Sequence, residues 1–172
     1  MNSFLIPNLL CCILNFEDVK NKILDEIRDD NFDLFSKRTY LHYCMIEHMR
    51  LFNTININIQ RTAEKDMDYH GINFKKDDQI FILFSNILRD EKEFKEADRF
   101  IPSRWENKSI EDQDIVFSVG NQQCPSKNIS PLYYKAIIYH LIKNFNYEIE
   151  KPKLSSNKLY FINPYDIKFS TK

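Results

Sequence analysis

Glycine is almost absent from this chain: two glycines occur among 172 residues, where average usage would give about 7%. Most turns must therefore be built from asparagine, aspartate and serine. The two glycines stand in short patterns: Gly71 closes Arg61-x4-Asp66-x4-Gly71, and Gly120 lies within Phe117–Cys124. We expect the backbone at both to need a positive φ, or to approach a large flat partner closely.

An excess of charge of either sign is also missing. The chain has 24 basic and 25 acidic residues, a net charge of −1, and the two signs are mixed along its length. A chain with this balance does not attract a polyanion. Nucleic acid is therefore excluded as an expected partner.

Paired cysteines are lacking as well. Cys11, Cys12, Cys44 and Cys124 show no CxxC spacing, and no HxxxH pattern accompanies them. This argues against both a disulfide framework and a zinc site. Reduced thiols predict an intracellular location, and we expect the cytoplasm.

No long apolar run occurs. The stretch from Phe4 to Leu14 contains Pro7 and Asn8 and has no basic leader. It is shorter than the about 20 residues that cross a bilayer. We expect a packed helix there, with neither a membrane span nor a secretory signal.

What is present suffices for a core, since 43% of the residues are hydrophobic and 14% aromatic. A length of 172 residues favours one domain, residues 1–172. Apolar residues repeat at helical spacing over 17–28 and 38–52 and again over 129–141 after Cys124. They alternate over 55–59 and 145–149, which predicts strands.

Further strands are predicted at 79–84 and at 158–163, the latter pairing with 145–149 as a terminal hairpin. Residues 85–114 predict short helices and irregular loop. The order is helices, a small sheet, a loop ending in a cysteine, one long helix and a hairpin. This layout predicts the α+β class.

Short patterns recur in a definite order along this layout. Glu47 and Arg50 form an ExxR pair on one helix face, although a second match at Glu96 and Arg99 makes this pattern weak by itself. After it come the Arg61–Gly71 pattern, then Phe100-Ile101-Pro102-Ser103-Arg104-Trp105, and finally the Phe117–Cys124 loop. The evidence lies in the joint order and spacing of these patterns.

This succession resembles the C-terminal, haem-binding part of the cytochrome P-450 family, from the end of its long central helix to its terminus. The resemblance implies haem b, with the Cys124 thiolate as axial ligand of the iron, and a monooxygenase activity that inserts one oxygen atom of O2 into an organic substrate. It also implies an electron-donor reductase. The chain then forms one partial domain that lacks the N-terminal half and most of the central dioxygen helix.

The resemblance implies roles for individual residues. Arg61 corresponds to the arginine that pairs with a haem propionate, and Phe117 to the aromatic residue near the thiolate. Gly120 lets the loop lie against the porphyrin. Glu47, Arg50 and Arg104 correspond to a buried Glu–Arg–Arg network. No catalytic residue is assigned, because nothing here matches the family's acid and alcohol pair.

A thiolate ligand must stay ionised, which N–H donors and a nearby helix N-terminus favour. The Asn/Gln loop before Cys124 offers such donors, and Pro125 suits a first helical position. Alternatively, Pro131 interrupts the helix or starts it late, with Ser130 as N-cap.

Several residues depart from the family pattern. Gln122 stands where an arginine usually binds a propionate. Ser118 and Ser126 replace glycines, one directly after Phe117 and one two residues after Cys124. The acidic stretch 106–114 lies where an acidic redox partner usually docks, which argues against normal electron delivery.

Three hypotheses follow. The chain is a monooxygenase module completed by a complementary chain; or it binds haem but is inactive and incomplete by itself; or it is a structural or interaction domain without haem. The second is favoured.

Overall fold

The computed structural model describes residues 5–52, 59–149 and 167–171. Its contacts divide the chain into two compact units. The helical unit comprises Met1–Thr54 and Asp98–Lys172, and the strand unit comprises Ile55–Ala97. The single domain over residues 1–172 stays a prediction.

Runs of helices and runs of short antiparallel strands follow one another along the chain, in agreement with the predicted α+β class. The described ranges contain the helices α1 (Leu5–Asn15), α2 (Glu17–Arg28), α3 (Tyr40–Leu51), α4 (Phe84–Ile87), α5 (Ile110–Gln113) and α6 (Ser130–Asn144). They contain the strands β1 (Ile59–Thr62), β2 (Met67–Tyr69), β3 (Ile72–Phe74), β4 (Gln79–Ile82), β5 (Phe145–Ile149) and β6 (Ile167–Thr171). Short 3-10 segments lie at Pro102–Trp105, Asp114–Phe117 and Gly120–Gln122.

Helix α3 lies at the centre of the helical unit, where α1, α2, α6 and the Pro102–Trp105 segment all contact it. The apolar stripe of the sequence predicts one buried face, but α3 is buried on nearly every side, including polar residues such as His42, Glu47 and Arg50. Its surroundings are aliphatic: the fully buried residues include Leu9, Leu10, Ile13, Ile23, Ile138 and Ile142. Charged groups in such a place need partners close by.

The start of α3 is fixed by two side chains. Thr39 is the N-cap, and its hydroxyl oxygen accepts from the His42 N–H at 3.2 Å. The Glu26 carboxylate of α2 accepts from the backbone N–H groups of Tyr40 and Leu41. Burial raises the pKa of Glu26, and these two backbone N–H groups oppose that rise. The first turn of α3 is thereby held against α2.

In the strand unit, β1 pairs antiparallel with β4, with Arg61 opposite Ile80. β2 and β3 form a second hairpin, joined by the two residues between Tyr69 and Ile72. Those residues, His70 and Gly71, have φ of 51° and 81°, the conformation that a two-residue hairpin turn requires. The positive φ expected at Gly71 is confirmed.

The terminal hairpin is present, with β5 antiparallel to β6. Strand β5 covers the predicted 145–149, whereas its partner is Ile167–Thr171. The predicted return strand at 158–163 lies outside the described residues, as do residues 55–58 of the first predicted strand, 55–59.

Candidate functional site

The segment from Phe117 to Cys124 is a closed loop. The Cys124 N–H donates to the Phe117 carbonyl oxygen at 2.9 Å, and the Gln123 N–H donates to the Gly120 carbonyl oxygen at 3.1 Å. The chain reverses through two residues of positive φ, Ser118 at 67° and Gly120 at 78°. Phe117 is buried and anchors the start of the loop. The positive φ expected at Gly120 is confirmed.

Ser118 has a conformation that side chains rarely adopt. Its φ of 67° combines with a ψ of 173°, a region occupied essentially by glycine. The loop geometry therefore explains why the family resemblance predicts glycine at this position. Ser118 adopts this glycine-like conformation, and its backbone is strained as a result.

The sulfur of Cys124 is half-exposed, whereas Cys11, Cys12 and Cys44 are buried. Burial raises the pKa of the Cys12 and Cys44 thiols well above the ordinary value, which keeps both thiols protonated. Among the cysteines, Cys124 is thus the accessible one. Its sulfur lies 3.2 Å from the Ser126 hydroxyl oxygen.

The helix after the cysteine starts later than Pro125 would place it. Residues 125–129 form turns, in which the Lys127 N–H donates to the Cys124 carbonyl oxygen at 3.2 Å. Helix α6 begins at Ser130 with Pro131 in its first turn, so the late start was the correct alternative. Ser130 is the first helical residue; Ile129 is the N-cap. Proline suits the first turn of a helix equally at 125 and 131, and the sequence could not choose between them.

Apolar side chains near the loop in sequence face solvent. Val119 is 66% exposed, Ile129 72% and Tyr133 46%. A Cβ added to Gly120 would meet no atom within 4 Å. A flat apolar macrocycle bound through sulfur needs an accessible cysteine, open space and apolar surface to cover, and this part of the chain supplies all three. The residues present therefore fit a haem.

The Glu47 carboxylate accepts hydrogen bonds from several segments. Arg50 reaches it with Nε and Nη2, both at 2.9 Å, and both side chains are fully buried. Arg104 Nε donates to it at 3.0 Å. The structure therefore brings the three residues of the predicted network together, and α3 is fastened to the Pro102–Trp105 segment.

Two further donors to Glu47 were not anticipated from the sequence. The Trp105 indole N–H donates to Oε2 at 2.9 Å and the Ile101 backbone N–H to Oε1 at 3.0 Å. The single tryptophan of the chain was the available signal, because a buried indole N–H requires an acceptor.

The second ExxR match lies at the surface. Glu96 lies in a turn and Arg99 in a bend, and both residues are exposed. The Arg99 carbonyl oxygen accepts from Arg50 Nη2 at 3.2 Å, so its backbone adds to the surroundings of the first match.

Arg61 and Gln122 belong to different units of the chain. Arg61 lies on β1 of the strand unit, half-buried, and its Nη1 donates to the Gln60 carbonyl oxygen at 2.9 Å. Gln122 is an exposed residue of the cysteine loop. Both stay predicted propionate partners.

Asp114 also joins distant segments. It lies just before the cysteine loop, and its two carboxylate oxygens are 3.2 Å from Lys37 Nζ and 3.1 Å from Lys127 Nζ. Its negative charge is therefore balanced by two lysines and does not add to an acidic surface. Long-range pairing of this kind leaves no periodic signal in the sequence.

Tyr134 is a further neighbour that the sequence did not single out. Burial is the main cause that raises the pKa of its phenol, with smaller contributions from Tyr133 and Cys124. The phenol therefore stays protonated at neutral pH and can donate a hydrogen bond.

Two kinds of feature are absent from the part of the chain that the structure describes. Over 5–52, 59–149 and 167–171, no three His, Cys, Asp or Glu side chains converge as ligands of one metal ion. In the same ranges no helix has both the length and the apolarity needed to cross a bilayer.

The sequence of this chain is similar to those of known proteins over most of its length. The model of the family described as Cytochrome P450 matches residues 15–169. The chain is 27% identical over 153 residues to cytochrome P450 3A15 of Cavia porcellus, covering 80% of this chain and 30% of that protein. It is 29% identical over 152 residues to probable cytochrome P450 4ac1 of Drosophila melanogaster, covering 82% and 30%.

A plant protein matches as well: abscisic acid 8'-hydroxylase 4 of Arabidopsis thaliana is 28% identical over 109 residues, covering 63% of this chain and 23% of the relative. The chain thus spans less than a third of the length of these relatives.

Proposed function

The chain belongs to the cytochrome P450 family, and from that premise we propose that it binds haem b through the Cys124 sulfur as the thiolate-bearing section of a monooxygenase. The observation that carries the proposal is the loop closed by the Cys124 N–H and the Phe117 carbonyl oxygen at 2.9 Å. This closure leaves the Cys124 sulfur half-exposed while the other cysteines are buried.

A haem with a thiolate ligand supplies the chemistry of O–O bond cleavage, and the thiolate increases electron density at the iron. The residues of this chain hold and orient the group. Cys124 provides the ligand, Gly120 leaves room for a flat face, and Phe117 fixes the loop from the core side. Arg61 would hold a propionate by charge, and Gln122 would hold one by a neutral hydrogen bond.

The network around Glu47 supports the proposal indirectly. It fastens α3 to residues 101–105, from which the chain continues to the cysteine loop. Its function is to keep that section rigid, so Glu47, Arg50 and Arg104 are positioning residues and do not touch the reacting atoms.

Oxygen insertion into an organic substrate is proposed for the whole protein. An electron-donor reductase supplies the electrons. The 172 residues contain no match to the acid and alcohol pair of the family. Tested by themselves they are expected to bind haem without turnover, unless a complementary chain completes the site.

The decisive experiment is a carbon monoxide difference spectrum. The chain is produced with haem supply, reduced with dithionite and exposed to carbon monoxide. A red-shifted Soret band is expected, because Cys124 would supply a thiolate ligand to the iron. Cys124→Ser is expected to lose that band.

Cys44→Ala is the matched control, since it also removes one thiol, and circular dichroism verifies that each variant is folded. The red-shifted band is expected to survive in Cys44→Ala. A folded wild-type chain that takes up no haem would contradict the proposal and favour the interaction domain, with the apolar surface of Val119, Ile129 and Tyr133 as its contact region.

A further inference from the structure

We infer that the Ser126 hydroxyl donates a hydrogen bond to the Cys124 sulfur and thereby adjusts how readily the bound haem accepts an electron. The inference rests on the proposed function, because it concerns the sulfur as an iron ligand. It adds a residue to which the family resemblance assigns no role.

The contact is direct. Ser126 Oγ lies 3.2 Å from Cys124 Sγ, and in the thiol form either atom can be the donor. A ligating thiolate carries no proton, so only the hydroxyl donates once the sulfur is ionised. The direction of the hydrogen bond is then fixed by chemistry.

The backbone holds Ser126 in place for this contact. Its carbonyl oxygen accepts from the Ile129 N–H at 3.0 Å and from the Ser130 N–H at 2.8 Å. Ser130 Oγ donates to the same oxygen at 2.9 Å. Three donors on one carbonyl make the turn after Cys124 a defined structure, so the hydroxyl does not depend on a mobile loop for its position.

A hydrogen bond to a ligating sulfur draws electron density away from the metal. Hydrogen bonds to the sulfur and the polarity around it are established means of tuning the reduction potential of thiolate-ligated metals. Less donation from the sulfur favours the ferrous over the ferric iron. In this step one electron passes from the reductase to the iron, no bond breaks, and the proton stays on Ser126 Oγ.

A glycine at position 126, which the resemblance leads one to expect, provides no such donor. Ser126 is an exposed residue, so water competes for the sulfur. We therefore expect a change of a few-fold in the reduction equilibrium.

The test is a spectroelectrochemical titration of the haem-loaded chain. Ser126→Ala is expected to lower the reduction equilibrium constant about fivefold, a shift of about 40 mV to more negative potential at 59 mV per tenfold change for one electron. Ser126→Thr retains the hydroxyl and is expected to stay near the wild-type midpoint.

Ser130→Ala is the matched control. It removes a hydroxyl from the same turn, one that bonds the Ser126 carbonyl oxygen rather than the sulfur, and the Ser130 N–H still holds that oxygen. The midpoint reduction potential of Ser130→Ala is expected to match that of the wild type. A purely structural role of Ser126 would change the urea midpoint of Ser126→Ala and leave its potential unaltered.

Two outcomes overturn the inference in distinguishable ways. If all variants show the thiolate spectrum with carbon monoxide but share one midpoint, Ser126 does not act on the sulfur, and the proposed function stands. If the wild-type chain lacks the thiolate spectrum, the proposed function fails and the inference fails with it.

Discussion

Glu47 shows how one residue organises its surroundings. Its side chain is fully buried, yet both oxygens are occupied, by Arg50 and Arg104 together with the Trp105 indole and a backbone N–H. A buried carboxylate is tolerated only with such complete pairing. Glu47 therefore connects α3 to residues 101–105.

Glu47→Gln is expected to lower the free energy of unfolding by about 3–5 kcal/mol, because it leaves the buried Arg50 guanidinium without a counter-charge. Urea denaturation measures the change. The chain offers its own control, Glu96→Gln in the exposed second ExxR match, for which we expect less than about 0.5 kcal/mol. Equal losses at the two positions would mean that the Glu47 network contributes no special stability.

Ser118→Gly is expected to raise the free energy of unfolding by about 1 kcal/mol. Glycine releases the backbone strain at a φ of 67° and a ψ of 173°, which is worth about 1–3 kcal/mol. This gain exceeds the cost of the greater conformational entropy that an added glycine gives to the unfolded chain. Thermal or urea unfolding measures the gain.

Ser103→Gly provides a control of opposite sign, since Ser103 lies in the Pro102–Trp105 3-10 segment. There glycine is expected to cost about 0.5–1 kcal/mol. A loss of stability in Ser118→Gly would show that the loop does not hold residue 118 at positive φ.

At the scale of elements, helix α2 was predicted to the residue, because Val19, Ile23 and Ile27 repeat at i+4 and charged residues flank them. The positive φ at Gly71 and at Gly120 was also predictable, because glycine is so scarce in this chain that its presence indicates a backbone position that needs it. Local periodicity and backbone chemistry thus carry much of the fold.

The remaining features depend on contacts between distant segments. Trp105 bonds Glu47 across 58 positions, and Lys37 bonds Asp114 across 77. Hydrophobic periodicity describes one element at a time and contains no record of such pairs. The family resemblance therefore predicted the contacts among Glu47, Arg50 and Arg104, whereas the bonds of Trp105 and of Asp114 were not predicted.

The Lys37–Asp114–Lys127 bridge connects the segment before α3, the 3-10 segment that leads into the cysteine loop and the turn after Cys124. Asp114→Asn is expected to lower the free energy of unfolding by about 1–2 kcal/mol, since two partly buried lysines lose their shared counter-charge. Faster amide exchange is expected at residues 124–129, and hydrogen exchange together with urea denaturation measures both effects.

Asp25→Asn is the matched control, because its ion pair with Arg28 is long, at 3.7 Å, and its partners are 79% and 73% exposed. We expect less than about 0.5 kcal/mol there. Unchanged exchange at residues 124–129 in Asp114→Asn would contradict the view that the bridge holds the turn after Cys124.

At the scale of the whole molecule, buried histidines make stability depend on pH. Burial lowers the pKa of His48 from 6.5 to about 3. Burial is also the main cause that lowers the pKa of His42 to about 3, with Lys135 and Lys37 adding to it. Because the folded pKa lies below the unfolded one, the unfolded chain binds more protons between these values, and stability is lost as the pH falls.

His48→Phe is expected to make the free energy of unfolding less dependent on pH, by about 1.4 kcal/mol per pH unit, over the interval from 6.5 down to about 3. The phenyl ring retains the stacking on Phe52, where the rings lie 4.9 Å apart. Urea denaturation at a series of pH values measures the slope. His140→Phe, at an exposed position, serves as control and should leave the slope as it is.

The Glu47 carboxylate also sets an order of events during synthesis. Arg104 follows it by 57 residues, and at about 5–20 residues per second a ribosome needs about 3–11 s to make that stretch. Throughout that interval α3 carries a charge that only Arg50 offsets, and its docking is unfavourable. Helix α3 therefore docks only after Arg104 has been made. Until then the apolar faces of the helices already synthesised are exposed to chaperones and proteases.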